Sequence, residues 1–295
     1  MIKALWLTVL FVPLVATAEL PQSSPVPGGV AVVPIAVNDD SVPTVLFDGQ
    51  RVLTLREHQQ WHAVVGLPLT LAPGMHTLEI RLGGTPTQTS FRVAPKKYET
   101  QHLTIANKRH VEPSAEDQTR IARDNQTINR AFATWSETLA DTLRFDTPAK
   151  GPFSSRFGLR RILNKQPRQP HSGLDIAAPE GTPVTAPAAG LVLETGDYFY
   201  TGNTIFLDHG QGLVSMYIHL SRVDVAKGTR VTRGQRIGLV GKTGRTTGAH
   251  LHWAVSLNNA RVDPMLFLSP AARAGTPTLA PAASPAPAGM SPNGG

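Results

Sequence analysis

Thr247-Gly-Ala-His250-Leu-His252-Trp253 leads into Leu251 to Leu257, an apolar run short and β-rich enough to be a strand. Alternate residues of a strand project from one face, so His250 and His252 enter the same cleft. A second polar cluster lies upstream in Gln169-Pro-His171-Ser-Gly-Leu-Asp175. Two histidines and a carboxylate drawn from these distant stretches make a three-ligand set. Such a set leaves a zinc ion one open position, which separates a catalytic zinc from a structural one. One member of the His250–His252 pair suffices as ligand, leaving the other for proton transfer. A fifth candidate, His219, ends Ser215-Met-Tyr217-Ile-His219-Leu220, where simple alternation puts Tyr217 and His219 on one strand face.

Around these residues the chain is rich in Gly, Val and Thr. Gly181-Thr-Pro-Val184, Gly190-Leu-Val-Leu193, Thr204-Ile-Phe-Leu207 and Gln235 to Val240 are short runs between tight turns. They predict a mainly antiparallel sheet over residues 147–269.

The order of motifs is specific. Ser155-Arg-Phe-Gly158, His171-Ser-Gly-Leu-Asp175, Gly202-Asn203, Asp208-His209-Gly210, Tyr217-Ile-His219-Leu220, Gly241-Lys-Thr-Gly244 and Gly248-Ala-His250-Leu-His252-Trp253 follow one another. Together they resemble the lysostaphin-type, or LytM-domain, zinc endopeptidases, which cleave peptide bonds in bacterial peptidoglycan. The resemblance covers roughly Gly151 to Phe267. It implies a folded β-sheet with zinc in a groove walled by loops. It also implies His171, Asp175 and His252 as metal ligands, and His219 and His250 as catalytic histidines. Arg160, Arg161 and Asn164 fall in a segment resembling a loop beside that groove, where arginine would meet a stem-peptide carboxylate. Tyr198, Tyr200 and Asn203, before the central strands, are further candidate groove residues.

Other histidines read differently. His58-Gln-Gln-Trp-His62 has the spacing of a helical zinc pair, but Gln59 stands where the glutamate base would be, and its surroundings alternate like strands. His209, in a glycine-flanked turn, reads as structural.

At 295 residues the chain suggests two domains plus connections. Met1-Ile-Lys3, an apolar run and Ala16-Thr-Ala18 read as a signal peptide over residues 1–18, too short to span a bilayer comfortably. Export to a Gram-negative periplasm follows, with no stable membrane span once the signal is cleaved. Zero cysteines exclude a disulfide framework. The formal charge of +7 would ordinarily suggest nucleic acid, which an exported protein does not routinely meet. Peptidoglycan stem peptides carry free carboxylates and suit the same basic surface.

Residues 19–29, with Pro21, Pro25, Pro27, Gly28 and Gly29, read as a flexible leader. From residue 30 to 110, short β-rich runs recur about every ten residues, with Asp48-Gly49 a type I′ hairpin signal. They predict a small accessory β-sandwich devoid of catalytic motifs, serving positioning, inhibition or partner binding. Ser114-Ala-Glu-Asp117 opens a connecting helix. The stripe Ile121, Ile128, Phe132, Trp135, Leu139 and Leu143 carries it to about residue 146. Residues 270–295, poor in large apolar side chains, read as a disordered tail.

No glutamate base of the His-Glu-x-x-His kind is present, so a histidine must manage protons, which its pKa of roughly 6.5 permits. The resulting expectation is a zinc endopeptidase cutting peptidoglycan cross-links, D-alanyl–meso-diaminopimelate bonds by analogy with the family. A non-catalytic LytM-like module that activates an amidase is the rival. Such modules usually lack some of the five residues kept here.

Overall fold

The structure is a computed structural model that describes residues 19–37, 40–103, 109, 112–138 and 142–274. The expected signal peptide, Leu139 and the tail beyond Ala274 lie outside the described residues.

The N-terminal unit holds β1 (Val30–Ile35), β2 (Thr44–Phe47), β3 (Gln50–Glu57), β4 (Gln60–Gly66), β5 (Gly74–Arg81) and β6 (Thr87–Val93). They form one six-stranded sheet in the order β1-β4-β3-β2-β5-β6, every pairing antiparallel. The sheet curls, barrel-like, around Ile35, Phe47, Trp61, Leu78 and Phe91. Asp48 and Gly49 both take positive φ, as a type I′ hairpin demands. His58 and Gln59 do the same between β3 and β4, which makes His58 a turn residue.

The central strands β3 and β4 are buried on both faces. Val52, Trp61, Ala63 and Val65 point into the N-terminal core, while Leu53, Leu55 and Val64 join the core of the second unit. Asn258 completes the joint: its side chain accepts from Gly66 N–H at 2.6 Å and donates to Gly66 O at 3.0 Å. The two units therefore share a continuous apolar core.

The leader corrects the expectation of flexibility. Gln22 N–H donates to Leu266 O, Gly28 N–H to Leu67 O and Asp263 N–H to Gly28 O, each at 2.8–2.9 Å. Its glycines serve close approach: Gly28 has φ +79°, and an added Cβ would stand 2.5 Å from the Phe157 ring. The prolines and glycines wedge the strand between the units.

Helix α1 (Ala115–Phe132) begins as expected at a Ser114–Asp117 capping box. It ends at Phe132, well before residue 146, which corrects the connecting helix. Phe132 is buried edge-on against Phe206 (ring centroids 5.4 Å). Beyond it Trp135 lies under the Arg51 guanidinium (4.3 Å), and Glu137 pairs with Arg51 at 2.7 Å. Of the described members of the expected stripe, Ile128 and Phe132 pack from the helix, while Trp135 and Leu143 pack from non-helical chain against other surfaces.

The second unit contains β8 (Phe153–Ser155), β9 (Arg160–Leu163), β10 (Gln166–Arg168), β11 (Leu174–Ile176), β12 (Pro183–Thr185), β13 (Gly190–Tyr198), β14 (Gly202–Gly210), β15 (Leu213–Val223), β16 (Arg230–Val231), β17 (Arg236–Val240), β18 (Leu251–Leu257) and β19 (Ala260–Val262). Ten of these form an antiparallel sheet whose main path runs β16-β13-β14-β15-β18-β11-β8. Tyr217, Trp253 and Val255 face one core, and Phe206, Ile218 and Ala254 face another beneath α1. The strand β7 (Thr100–Leu103) leaves the N-terminal unit and pairs in parallel with β9, making a small sheet β10-β9-β7 beside the main one. At the far end, Pro270–Ala274 form a short helix, which corrects the expectation of disorder for those five residues.

Candidate metal centre

Strand register assembles the site. Asp175 on β11 pairs with His252 on β18, and His252 pairs with Ile218 on β15, so their side chains share one face. His171 reaches the same point from the loop before β11. His171 Nε2 lies 3.0 Å from Asp175 Oδ1 and 2.9 Å from His252 Nδ1, and His252 Nδ1 lies 2.7 Å from Asp175 Oδ1. All three residues are buried. Gly173 lets this happen, since a Cβ there would meet His252 Nε2 at 2.5 Å.

The protons can be assigned from partners. His171 Nδ1 sits 2.8 Å from the Arg156 carbonyl, which can only accept, so Nδ1 carries a hydrogen, and in the neutral ring Nε2 presents a lone pair. Nε2 therefore faces a carboxylate oxygen, acceptor against acceptor, an arrangement that a cation stabilises. Two imidazole nitrogens and one carboxylate oxygen are zinc ligands. Donors around a tetrahedral ion with bonds of about 2.0–2.1 Å stand about 3.3 Å apart, so the set fits after opening by a few tenths of an ångström. Arg161 Nη2 donates to Asp175 Oδ2 at 3.2 Å, leaving Oδ1 for the metal.

His219 enters through a β-bulge. The β14–β15 register slips between Tyr217 and Leu220, and His219 takes φ +66°. Plain alternation would put it beside Tyr217 on the opposite face. The bulge turns it instead toward His250 (ring centroids 4.8 Å) and His252 (6.3 Å), correcting the shared-face expectation. His219 N–H donates to Thr201 O, and His219 Nδ1 donates to Thr243 O at 2.8 Å. His250 Nδ1 donates to Gly248 O at 2.9 Å, and its Nε2 lies 3.8 Å from Asp175 Oδ1. In the neutral ring, each of the two histidines thus turns an Nε2 lone pair away from its carbonyl partner. Burial pulls His219 down to about 3 and His252 down to about 4, so both are neutral near pH 7.

A cleft of about 260 Å³ opens over these groups, with Gln101, Arg161, Arg245, Thr246, His219 and His250 on its walls. Of the expected groove residues, Arg161 reaches it. Arg160 is exposed, with its backbone tied to Glu99 O, and Asn164 occupies the β9–β10 turn with φ +47°. Tyr198 is buried against Phe206 in the core beneath α1. Asn203 is structural, donating to Leu220 O at 3.0 Å, while Tyr200 lies under Arg245. Sequence reading missed Gln101, because only the parallel β7–β9 pairing brings it in. It also missed Arg245, although the glycine-dense loop 241–248 marked a tightly packed turn.

The fold brings together two histidines and one carboxylate that could hold a metal ion, with two further histidines standing over them. The chain belongs to peptidase family M23. Residues 169–264 match the family itself and residues 23–96 match its N-terminal domain. The crystal structure of a putative peptidase M23 from Pseudomonas aeruginosa is 44% identical, with a TM-score of 0.72, covering 83% of this chain and 96% of that one. The peptidoglycan DD-endopeptidase ShyA of Vibrio cholerae is 42% identical over 123 residues, 41% of this chain and 29% of that protein. The DD-carboxypeptidase/endopeptidase Mpg of Neisseria meningitidis is 40% identical over 117 residues, 40% of this chain and 27% of that protein. The chain thus spans under a third of these curated relatives. Zinc is the cofactor this donor set accommodates.

Proposed function

We propose that the protein is a zinc-dependent endopeptidase that hydrolyses peptide cross-links of bacterial peptidoglycan, D-alanyl–meso-diaminopimelate bonds, in the periplasm. The observation that carries this reading is the convergence of three metal-donor atoms under two histidines whose Nδ1–H groups are tied to carbonyls. The name of the ShyA relative, a peptidoglycan DD-endopeptidase, favours a peptidoglycan substrate and that of Mpg favours endopeptidase activity, and the signal-like residues Ala16-Thr-Ala18 favour export.

His171, Asp175 and His252 would hold the ion, which when bound would supply Lewis-acid chemistry to a peptide carbonyl and to water. Arg161 fixes the carboxylate of Asp175. His250 and His219 each offer a lone pair at Nε2, so either can take the proton of the attacking water. The imidazolium so formed carries an Nε2–H that can donate to the developing oxyanion or return the proton to the leaving amine. Because both Nδ1 positions are committed to Gly248 O and Thr243 O, neither ring can turn away.

Incubating the full chain with purified sacculi, with and without a chelator, tests this. Mass spectrometry should show cross-linked dimers converted to monomers, with the chelator stopping it. A zinc-loaded protein that binds sacculi but leaves every cross-link intact would replace the enzyme with an amidase-activating module.

A further inference from the structure

Three hydrogen bonds of 2.8 Å tie His171 to a single turn: its N–H donates to Leu159 O, its carbonyl accepts from Gly158 N–H, and Nδ1 donates to Arg156 O. Main chain and ring therefore both follow residues 156–159. That turn lies between β8 and β9, outside any strand, so no sheet ladder fixes its height over the metal donors. What does fix it must pack on it from elsewhere.

The packing comes from the strap of residues 94–103 that joins the two units. Tyr98 sets its ring edge-on to the buried Phe157, with ring centroids 6.4 Å apart. Gly158, at φ +84°, lies so close beneath that ring that an added Cβ would stand 2.0 Å from Tyr98 Cε1. The Tyr98 hydroxyl donates to Pro27 O at 2.7 Å, and the Lys96 ammonium sits 4.7 Å over the ring. The strap itself is tied at both ends, with Ala94 N–H donating to Pro25 O and Arg160 N–H donating to Glu99 O, each at 2.8 Å. Further along, Gln101 pairs with Arg161 across β7 and β9, and Arg161 Nη2 holds Asp175 Oδ2 at 3.2 Å. One strap thus backs the supports of two of the three metal donors.

We infer that Tyr98 is a positioning residue for the metal centre, resting on the reading of His171 as a zinc ligand. Its ring presses the 156–159 turn into place, and the turn fixes His171. The chain between the units is then part of the site rather than a connector. A close-packed ring over a glycine leaves the turn no room to lift, whereas a smaller side chain leaves a gap into which it can move. Metal affinity is sensitive to such movement, because donors must meet the ion at set distances and outer partners hold them there. Tyr98 does not line the cleft, so its effect reaches the ion through the turn and not through substrate.

Competition for zinc between the full chain and a chelator of known affinity tests this, at a temperature where every variant is folded. Tyr98→Leu should weaken zinc binding about 10-fold, the lower end of what outer partners of a ligand contribute, while Tyr98→Phe, which keeps the ring over Gly158, should stay within about threefold of the unaltered protein. His209→Phe, which costs stability on the opposite face of the sheet, should also leave zinc affinity unchanged and so separates positioning from general loss of stability. Unchanged affinity in Tyr98→Leu overturns the inference. So does a Tyr98→Phe that falls as far as Tyr98→Leu, or an equal fall in His209→Phe. Should Tyr98→Leu not fold, Phe157→Leu trims the turn's side of the same contact, and unchanged affinity there overturns the inference instead. A His171→Ala chain that keeps a full equivalent of zinc overturns the ligand reading itself, and the inference with it.

Discussion

Two buried polar clusters sit on opposite faces of the β15–β18 pair, and they are wired in opposite ways. On the Tyr217 face, Tyr217 Oη lies 2.8 Å from Ser215 Oγ, which lies 2.7 Å from His209 Nε2. His209 Nδ1 donates to Ala189 O at 2.8 Å. Along the His209–Ser215–Tyr217 chain each donor meets an acceptor, since the carbonyl fixes His209 Nε2 as acceptor, Ser215 donates to it and Tyr217 donates to Ser215. Burial holds His209 down at about 4, so it stays neutral near pH 7. On the His252 face, His171 Nε2, His252 Nδ1 and Asp175 Oδ1 instead crowd one point, each within 3.0 Å of the other two. Closure marks a structural histidine, and lack of it marks a ligand.

The sharpest way to break this contrast is to remove one member from each side. His171→Ala, Asp175→Ala and His252→Ala should each lose zinc and essentially all hydrolysis together, because the set has no spare ligand. His209→Phe should keep its zinc and lose folding stability instead. Elemental analysis with release from sacculi reads both. A full equivalent of zinc in all three ligand variants would reject the ligand assignment.

A smaller effect separates ligands from their neighbours. His250→Ala and His219→Ala should retain zinc, since His171, Asp175 and His252 remain, while turnover falls by about two orders of magnitude. The contrast between His250→Ala and His252→Ala is decisive because the two residues share a strand face. Zinc lost from the first and kept by the second would reverse their roles.

Much of this was legible along the chain. Strand runs near residues 30, 44, 50, 61, 75 and 88 correspond to observed strands because half-buried strands alternate and hairpin glycines punctuate them. The two-sided burial of β3 and β4 was not legible, since Leu53, Leu55 and Val64 read equally well as one more small core. The end of α1 was hidden for a related reason. Trp135 and Leu143 keep helical spacing, yet pack against Arg51 and the second core from non-helical chain. In the site, the five polar residues stood out by type and spacing. The bulge at His219 did not, because alternation assigns a face only while the register is unbroken. Gln101 needed a parallel pairing between segments some sixty residues apart, which local pattern does not encode.

The smallest expected effect tests the closed cluster by one atom. Tyr217→Phe deletes the hydroxyl that donates to Ser215 and leaves the ring in the core beside Trp253. Ser215 can still donate to His209 Nε2, so the His209 ring keeps both partners and the direct loss is the Tyr217–Ser215 hydrogen bond. Denaturant unfolding of the zinc-loaded protein should show a loss of about 1–2 kcal/mol, with zinc content and sacculus hydrolysis unchanged. Tyr217 and His219 are two residues apart, and only the bulge sends them to different faces. If Tyr217→Phe instead lowered hydrolysis by tenfold or more at unchanged zinc, the two clusters would be coupled through β15. The separation of structural and metal-holding faces would then fail.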